Sequence, residues 1–294
     1  MQTNKQTNKQ TNKQTNKQTN KQINKQTVAV ITSTIGRFEL VRAVQSVQAQ
    51  TYPCTHYIFV DGKQFEEQAR AILKDYPNVI VTYLPMNTGA GGWTNSSINA
   101  IAPFLVKEDI ICYLDDDNWF EADHIENCVA TFESKRSDVV YALRNFYTPE
   151  GHFICKDFTE SIGYYENRVS YPLRVNFIFN QKNYYIDKTL NRKFIDTNCY
   201  AFKRNIAVLL SHHWFSGKHN DYNVYQKILD LKLDYFCTNR FSVNYVLDVM
   251  KQLDGQEMCF YELGMKEKDI KELIYFCTQE ENNLNLSLNG KEFK

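Results

Sequence analysis

The chain has 294 residues, a formal net charge of zero and an ordinary 43% apolar share, with an unusual wealth of aromatics, 19 Tyr and 19 Phe. Residues 1–27 carry six lysines and no acid, so the rest of the chain is left at about −6, which argues against a nucleic-acid binder that relies on phosphate contacts. The N-terminus lacks the apolar core of a signal peptide, and no stretch reaches about 18 apolar residues, so neither a leader nor a spanning helix is expected.

The eight cysteines, at 54, 112, 128, 155, 199, 237, 259 and 277, never fall in a C-x-x-C pair, and several sit inside apolar runs. Buried, reduced thiols in a cytoplasmic protein are expected rather than a disulfide framework or a zinc site. From Gln2 to Lys21 the tetrapeptide Gln-Thr-Asn-Lys repeats five times, then Gln22-Ile23-Asn24-Lys25 and Gln26-Thr27 follow. Residues 1–27 offer nothing to bury and are expected to be disordered. A repeated CAAA, read in successive frames, encodes Gln, Thr, Asn and Lys in that order. Its evenly spread lysines also leave open a weak attraction to anionic lipid.

The globular part begins at Val28. Val28–Thr34 reads as a buried strand ending in the hydroxyls of Thr32, Ser33 and Thr34. Gly36 and Arg37 follow, then Phe38, Leu40, Val41, Val44 and Val47 at helical spacing to about Gln50, stopped by Tyr52-Pro53. His56–Gly62 is a second strand, carrying Asp61 at its end. Helix Phe65–Tyr76 and strand Val79–Leu84 lead to a Gly-rich loop, Asn87-Thr88-Gly89-Ala90-Gly91-Gly92-Trp93-Thr94-Asn95, and a helix to Val106.

Ile110–Leu114 then runs, apolar throughout, into Asp115, Asp116 and Asp117. In an extended turn Asp115 and Asp117 point one way and Asp116 the other. Such close like charges ask for a cation, and hard oxygen ligands suit Mg²⁺ or Mn²⁺. A solvated acidic turn capping the next helix is the plain alternative. Helix Glu121–Ser134 and strand Asp138–Leu143 complete this half.

Strands alternating with helices predict an α/β fold: a doubly wound, mainly parallel sheet with helices on both faces. Ligands bind at the C-terminal ends of such strands. Hydroxyls, an acid, backbone N–H groups and a metal site gathered there suit a nucleotide diphosphate.

The second half is less legible. Residues 146–195 are rich in Tyr, Phe and Asn, read either as core or as a face stacking on acceptor sugars. Trp214 to Asp221 leads into a helix Tyr222–Leu231. Tyr235–Asn239 and Phe241–Val246 are two closing strands, Lys266–Cys277 is an amphipathic helix, and 280–294 is a frayed polar tail. His212 and His213 are unassigned.

In this order the residues resemble the GT-A glycosyltransferases, in particular the inverting family 2. The resemblance rests on the Thr32-Ser33-Thr34 strand end with Arg37 and on Ser46-Val47-Gln48-Ala49-Gln50-Thr51-Tyr52-Pro53 before the strand ending in Asp61. It continues through Asn87-x-Gly89 to the D-x-D of Asp115 and Asp117. It implies a nucleotide-sugar half at 28–145 and an acceptor-side half of the same domain at 146–279, in which Asp196–Arg204 is a strand and turn.

It further implies that Asp61 bonds the base, most often uracil, while Thr32 and Ser33 line the nucleoside pocket. Thr34, Arg37, Asn87, Gly89, Asn95, Asp115 and Asp116 complete the nucleotide set, and Asp115 and Asp117 hold Mn²⁺ or Mg²⁺. Acceptor contacts fall to Trp214, Asn198, His219 and Asn220. Asp221 matches the family's general base, although an Asp there is equally a helix N-cap. His219 is an alternative base, a metal ligand or a surface residue; Asp61 also reads as a turn acid, and the glycines as a plain turn.

Two positions depart from the family pattern. Its Ala-Arg-Asn after the Gly loop is Trp93-Thr94-Asn95 here, and its Glu-Asp pair is Asn220-Asp221. The repeat resembles those of phase-variable bacterial genes that decorate surface glycans. A hexosyl transfer from a UDP-sugar to a glycan or glycolipid such as lipooligosaccharide or lipopolysaccharide is therefore expected. It would occur in the cytoplasm, with peripheral contact at the inner membrane face. A nucleotidyltransferase fits the Thr-Ser-Thr-Ile-Gly-Arg after strand one poorly, and a glycan-binding protein on a degenerate transferase fold is the non-enzymatic alternative.

Overall fold

A computed structural model describes residues 25–161, 172–189, 194–253 and 255–289. The tetrapeptide repeat through residue 24, with its expected disorder, lies outside the described residues, as does the Gly163-Tyr164-Tyr165 run.

The strands β1 (Val28–Thr34), β2 (Thr55–Val60) and β3 (Ile80–Tyr83) alternate with helices α1 (Leu40–Gln48) and α2 (Glu66–Leu73). Helix α3 (Ser96–Leu105) precedes β4 (Ile110–Tyr113). These four strands pair in parallel, in the order β3-β2-β1-β4. Every residue of β4, and Val28 to Ile31 of β1, is buried, so both sheet faces are covered; this is why these runs show no polar alternation.

The sheet continues with residues from the second half. After β5 (Trp119–Phe120) and α4 (His124–Lys135) come β6 (Val139–Tyr147) and β7 (Phe153–Lys156). A hairpin of β8 (Pro172–Phe179) and β9 (Lys182–Thr189) follows, then β10 (Tyr200–Lys203), α5 (Arg204–Trp214), α6 (Asn220–Asp230) and β11 (Tyr235–Val246). The nine-stranded order is β3-β2-β1-β4-β10-β6-β11-β5, with β7 on β6. Strand β10 inserts antiparallel between β4 and β6, and β5 and β7 are also antiparallel to their neighbours; the other six strands run one way. The sheet is thus mostly parallel, and one core unites residues from Val28 to Val243, so it passes residue 145 without a break.

Several expectations are corrected. Tyr235–Val246 is one strand rather than two, bent by an irregularity where Asn239 takes a φ of 56°. Helix α5 is absent from the sequence reading, although Ile206, Ala207 and Leu210 pack its inner face. Residues 280–289, expected to belong to a frayed tail, are helical: α9 (Glu267–Asn289), which follows the short helices α7 (Val249–Leu253) and α8 (Met258–Glu262), runs through them, and 290–294 lie outside the described residues. There Asn282 and Asn285 are buried because they grip one backbone unit. Asn282 accepts from the Phe158 N–H, and Asn285 donates to the Phe158 carbonyl. The β8–β9 hairpin lays Val175, Phe177 and Ile186 on Met265, Ile270 and Leu273 as a second core, so these aromatic-rich strands act partly as core. None of the eight cysteines forms a disulfide. Among the described residues, no helix is long and apolar enough to cross a membrane.

Candidate active site

The C-terminal ends of β1, β2 and β4 open on a cavity of about 1460 Å³. Its wall takes Ser33 and Thr34 from the end of β1, Arg37 from beyond it, Asp61 from beyond β2, Asn87, Gly89 and Asn95 from the Gly-rich loop, and Asp115, Asp116 and Asp117 from beyond β4. The start of α6 closes the far side with Lys218, His219, Asn220 and Asp221.

Asp61 organises the Gly-rich loop. Its carboxylate accepts from the backbone N–H and hydroxyl of Thr88, each at 2.8 Å, and from the N–H of Gly89 at 2.8 Å. The loop folds back so tightly that a β-carbon on Gly89 would lie 2.2 Å from the carbonyl oxygen of Thr94, so any side chain is excluded there. Oδ2 takes only one of these bonds, and so keeps acceptor capacity.

The acids after β4 do not alternate as expected. The strand ends at Tyr113, and the Asn118 N–H closes a turn on the Asp115 carbonyl at 3.2 Å. Asp116 turns inward to the Thr34 hydroxyl at 2.6 Å and to Arg37, while Arg37 Nη1 also donates to Asp117 at 2.9 Å. Asp116 and Asp117 therefore share one guanidinium, and Asp115 stands apart. Burial disfavours a charged Arg37, yet Asp116, Asp117 and Asp115 together hold its pKa above the ordinary value.

Asp115 is held by amides. Asn95 Nδ2 donates to Oδ1 at 2.7 Å, Asn198 Nδ2 donates to Oδ2 at 2.8 Å, and the Asp115 N–H donates to Asn198 Oδ1 at 2.6 Å. The amide series extends both ways. Asn220 Nδ2 donates to Asn95 Oδ1 at 2.8 Å, and Asn198 Nδ2 also donates to Asp196 at 2.8 Å. Burial, then Asp117 and Asp196, push the Asp115 carboxyl up to about 7 against the pull of Asn198 and Asn95. Burial likewise raises Asp117, with Arg37 opposing.

Asp196 belongs to a buried cluster that the sequence reading missed. Arg144 donates from Nε to Asp157, from Nη1 to Asp196 and from Nη2 to Glu160, each at 2.7 Å. Its guanidinium also lies 4.4 Å from the Tyr245 ring centre. One signal was visible: a lone Arg in the otherwise uncharged strand Val139–Tyr147 needs acidic partners. No spacing rule could have said which.

Asp221 sits in the first turn of α6, half-buried at the cavity, and its carboxyl is pushed up to about 7, first by burial and then by Asp196. His219 precedes the helix with a φ of 70° and is exposed. Asn220 is buried, donating to Asn95 and to the Ser96 hydroxyl.

Three expected site residues are relocated. Thr32 is fully buried within β1, with its hydroxyl 2.9 Å from His56 Nε2, and is not among the residues that line this cavity. Trp214 has no exposed surface and packs on Tyr113 and Tyr200, as large aromatics do when they fill a core. Asn198 is fully buried and uses its amide to position Asp115, which leaves it nothing to offer an acceptor.

The residues fit a divalent cation. Asp115 and Asp117 supply hard carboxylate oxygens with spare lone pairs, and burial, then the neighbouring Asp117 and Asp196, raise the Asp115 carboxyl. Among the described residues no three His, Cys, Asp or Glu side chains form a metal cluster.

The strand order, the Gly-rich loop and the acids at the strand ends together define a GT-A-like fold. The family model for glycosyl transferase family 2 matches residues 29–204, about three-fifths of the chain. The chain belongs to glycosyl transferase family 2. Solved structures of similar shape include S. aureus TarS 1–349, at 13% identity and a TM-score of 0.49 over 75% of this chain and 60% of that one. The same protein in complex with UDP matches at 11% identity and 0.49 over 76% and 61%, and in complex with UDP-GlcNAc at 9% and 0.46 over 76% and 59%. The chain spans about three-fifths of the length of these structures. A comparison with curated proteins finds no match.

Proposed function

We propose that this protein transfers a sugar from a nucleotide diphosphate sugar, a UDP-sugar, to an acceptor hydroxyl with inversion at the anomeric carbon. The observation that carries this reading is the convergence, in a family 2 chain, of the three strand ends, the Gly-rich loop and Asp221 on one cavity.

The nucleoside lies toward Ser33 and Asp61, whose Oδ2 retains acceptor capacity for the base. Asp115 and Asp117 would hold Mn²⁺ or Mg²⁺, which when bound supplies Lewis-acid neutralisation of the departing diphosphate. Asp221 accepts the proton of the acceptor hydroxyl as that oxygen bonds to the anomeric carbon and the bond from that carbon to the phosphate oxygen breaks. A carboxyl near 7 is matched to that task, because the base is then neither too weak nor too rarely ionised at neutral pH. The amide series from Asn220 through Asn95 to Asp115 fixes the base-bearing helix against the acids, which keeps donor and base in register.

The acceptor is a bacterial surface glycan of the lipooligosaccharide or lipopolysaccharide kind, supported by the tetrapeptide repeat and its coding arithmetic. The peripheral membrane contact such an acceptor requires is part of the same proposal. The test is thermal stabilisation against a panel of nucleotide sugars with and without Mn²⁺, followed by release of the nucleoside diphosphate. A ligand at 100 times its Kd adds about 2.7 kcal/mol. A shift with one UDP-sugar, with Asp117→Ala abolishing its Mn²⁺ dependence and Asp221→Asn retaining binding without turnover, supports the reading. No shift with any nucleotide sinks it.

A further inference from the structure

Helix α3 carries no charged residue from Ser96 to Leu105, although only one side of it is covered. Ile98, Asn99, Ala102 and Pro103 are buried, whereas Ile101, Phe104 and Leu105 are 51%, 60% and 54% exposed. A helix with one side in water ordinarily turns charged and polar residues that way. Helix α5 packs beside α3, burying Ile206, Ala207 and Leu210 and leaving Leu209 54% exposed. The two helices run antiparallel, because each is tied at both ends. Ser96 Oγ donates to the Gly217 carbonyl at 3.0 Å, and at the opposite end the Arg204 N–H donates to the Asp109 carbonyl at 2.8 Å. The exposed Ile101, Phe104, Leu105 and Leu209 thus fall on one outer face.

One end of that face meets the cavity. Trp93 and Phe215, both exposed and stacked with ring centres 4.9 Å apart, join the loops that supply Thr94, Asn95 and Lys218 to its wall. The other end is where the lysine repeat joins the fold. Asp109 accepts from the Thr27 N–H at 2.9 Å and from the Thr27 hydroxyl at 2.8 Å, and the Ile110 N–H donates to the Thr27 carbonyl at 3.0 Å. The chain before residue 25 carries lysines at 5, 9, 13, 17 and 21 and no acid. Lys107 and Arg204 are exposed at the same end, and the acids beside them are occupied, Asp109 by Thr27 and Glu108 by the Tyr57 hydroxyl at 3.1 Å. We infer that the outer face of α3 and α5, together with the lysine repeat at its edge, docks the protein on an anionic lipid surface. The apolar side chains alone would serve any apolar partner; lysines without acids at the edge of the same face select an anionic one. A lipid surface takes both signals at once, and firm membrane contact needs two. The inference rests for its purpose on the glycolipid acceptor proposed above: with this face on the membrane, the cavity beside Trp93 and Phe215 meets a lipid-linked glycan.

The test is co-sedimentation of the full chain with vesicles of phosphatidylcholine alone and of an equal mixture of phosphatidylcholine and phosphatidylglycerol. Wild type is compared with a Phe104→Ser, Leu209→Ser pair, with a variant carrying Gln at the five repeat lysines, and with Ile178→Ser, which alters an exposed apolar side chain on β8. Melting curves confirm folding. Wild type should favour the anionic vesicles, and salt should weaken that preference. The serine pair and the Gln variant should each bind roughly tenfold or more weakly, and Ile178→Ser should bind as wild type does. Wild type that ignores anionic vesicles overturns the inference, as does undiminished binding by either the serine pair or the Gln variant. A wild-type dimer that the serine pair dissociates, with vesicle binding unchanged, also overturns it and makes the face a contact between copies. Nucleotide-sugar turnover without vesicles is followed on the same preparations. Turnover without vesicle binding sinks the lipid face and leaves the transferase reading; vesicle binding without any nucleotide binding sinks the transferase reading and leaves the lipid face.

Discussion

Replacing Arg144 with Met is expected to cost the protein about 3–5 kcal/mol of stability near pH 8, the range for stripping one partner from a buried ion pair. The structure says which carboxylates set the figure. The side chain of Asp157 is wholly buried and that of Asp196 is 8% exposed, whereas that of Glu160 is 29% exposed and can turn to water when released. Two carboxylates are therefore stranded.

The sign with pH follows. Burial pushes Asp157 up, but Arg144 and the N–H groups of Glu160, Ser161 and Thr159 outweigh it and hold the carboxyl below its ordinary range. A depressed carboxylate adds stability above its unfolded pKa of about 4 and loses it as pH falls through the lower folded value. In Arg144→Met the stranded acids take up protons at higher pH instead, so the gap to wild type should narrow from pH 8 toward pH 4. Lys at 144 should recover less than half, because three separate guanidinium nitrogens serve three carboxylates and an ammonium has one nitrogen. Urea unfolding across that pH range, with unchanged denaturant slopes, is the assay. A deficit below about 1 kcal/mol, or one that stays constant with pH, would refute the reasoning that the cluster is held together by buried charge.

Asp221→Asn should lower turnover by roughly 10²–10⁴-fold with little change in donor affinity, and wild-type activity should rise with pH through about 7, where Asp221 gives up its proton; a profile flat from pH 5 to 9 would count against this base. Because the folded carboxyl is raised, its contribution to stability is complete below about pH 4 and is lost as pH rises through 7, by up to about 4 kcal/mol, so Asp221→Asn should lose less stability than wild type over that interval in a series of melts. Ending the chain at Gln279 removes the buried Asn282 and Asn285 and with them their bonds to the Phe158 N–H and carbonyl; about 2–6 kcal/mol should be lost, at about 1–3 per group, and unchanged unfolding would show that the last turns of α9 are dispensable.

The first half of the fold was legible because its cues are local. Buried strands such as Val28–Thr34 and Ile110–Leu114 are continuous apolar runs, their helices have the right period, and the acids and glycines fall at the strand ends where an α/β sheet collects them. Asp61, Gly89, Asp115 and Asp117 could therefore be placed around one site by their order, and Asp221 was added by the family resemblance. What each side chain does there was not legible. The sequence could not show that three asparagines, at 95, 198 and 220, join into a series about Asp115, because their partners lie 20 to 125 positions away. Nor could it show that Arg144 unites Asp157, Glu160 and Asp196, or that Trp214 is core while the exposed Trp93 stacks on Phe215. A polar residue's composition is the same whether it meets water, substrate or another buried amide. Tertiary structure decides which, because only burial makes an unpaired polar group costly enough to fix its partner.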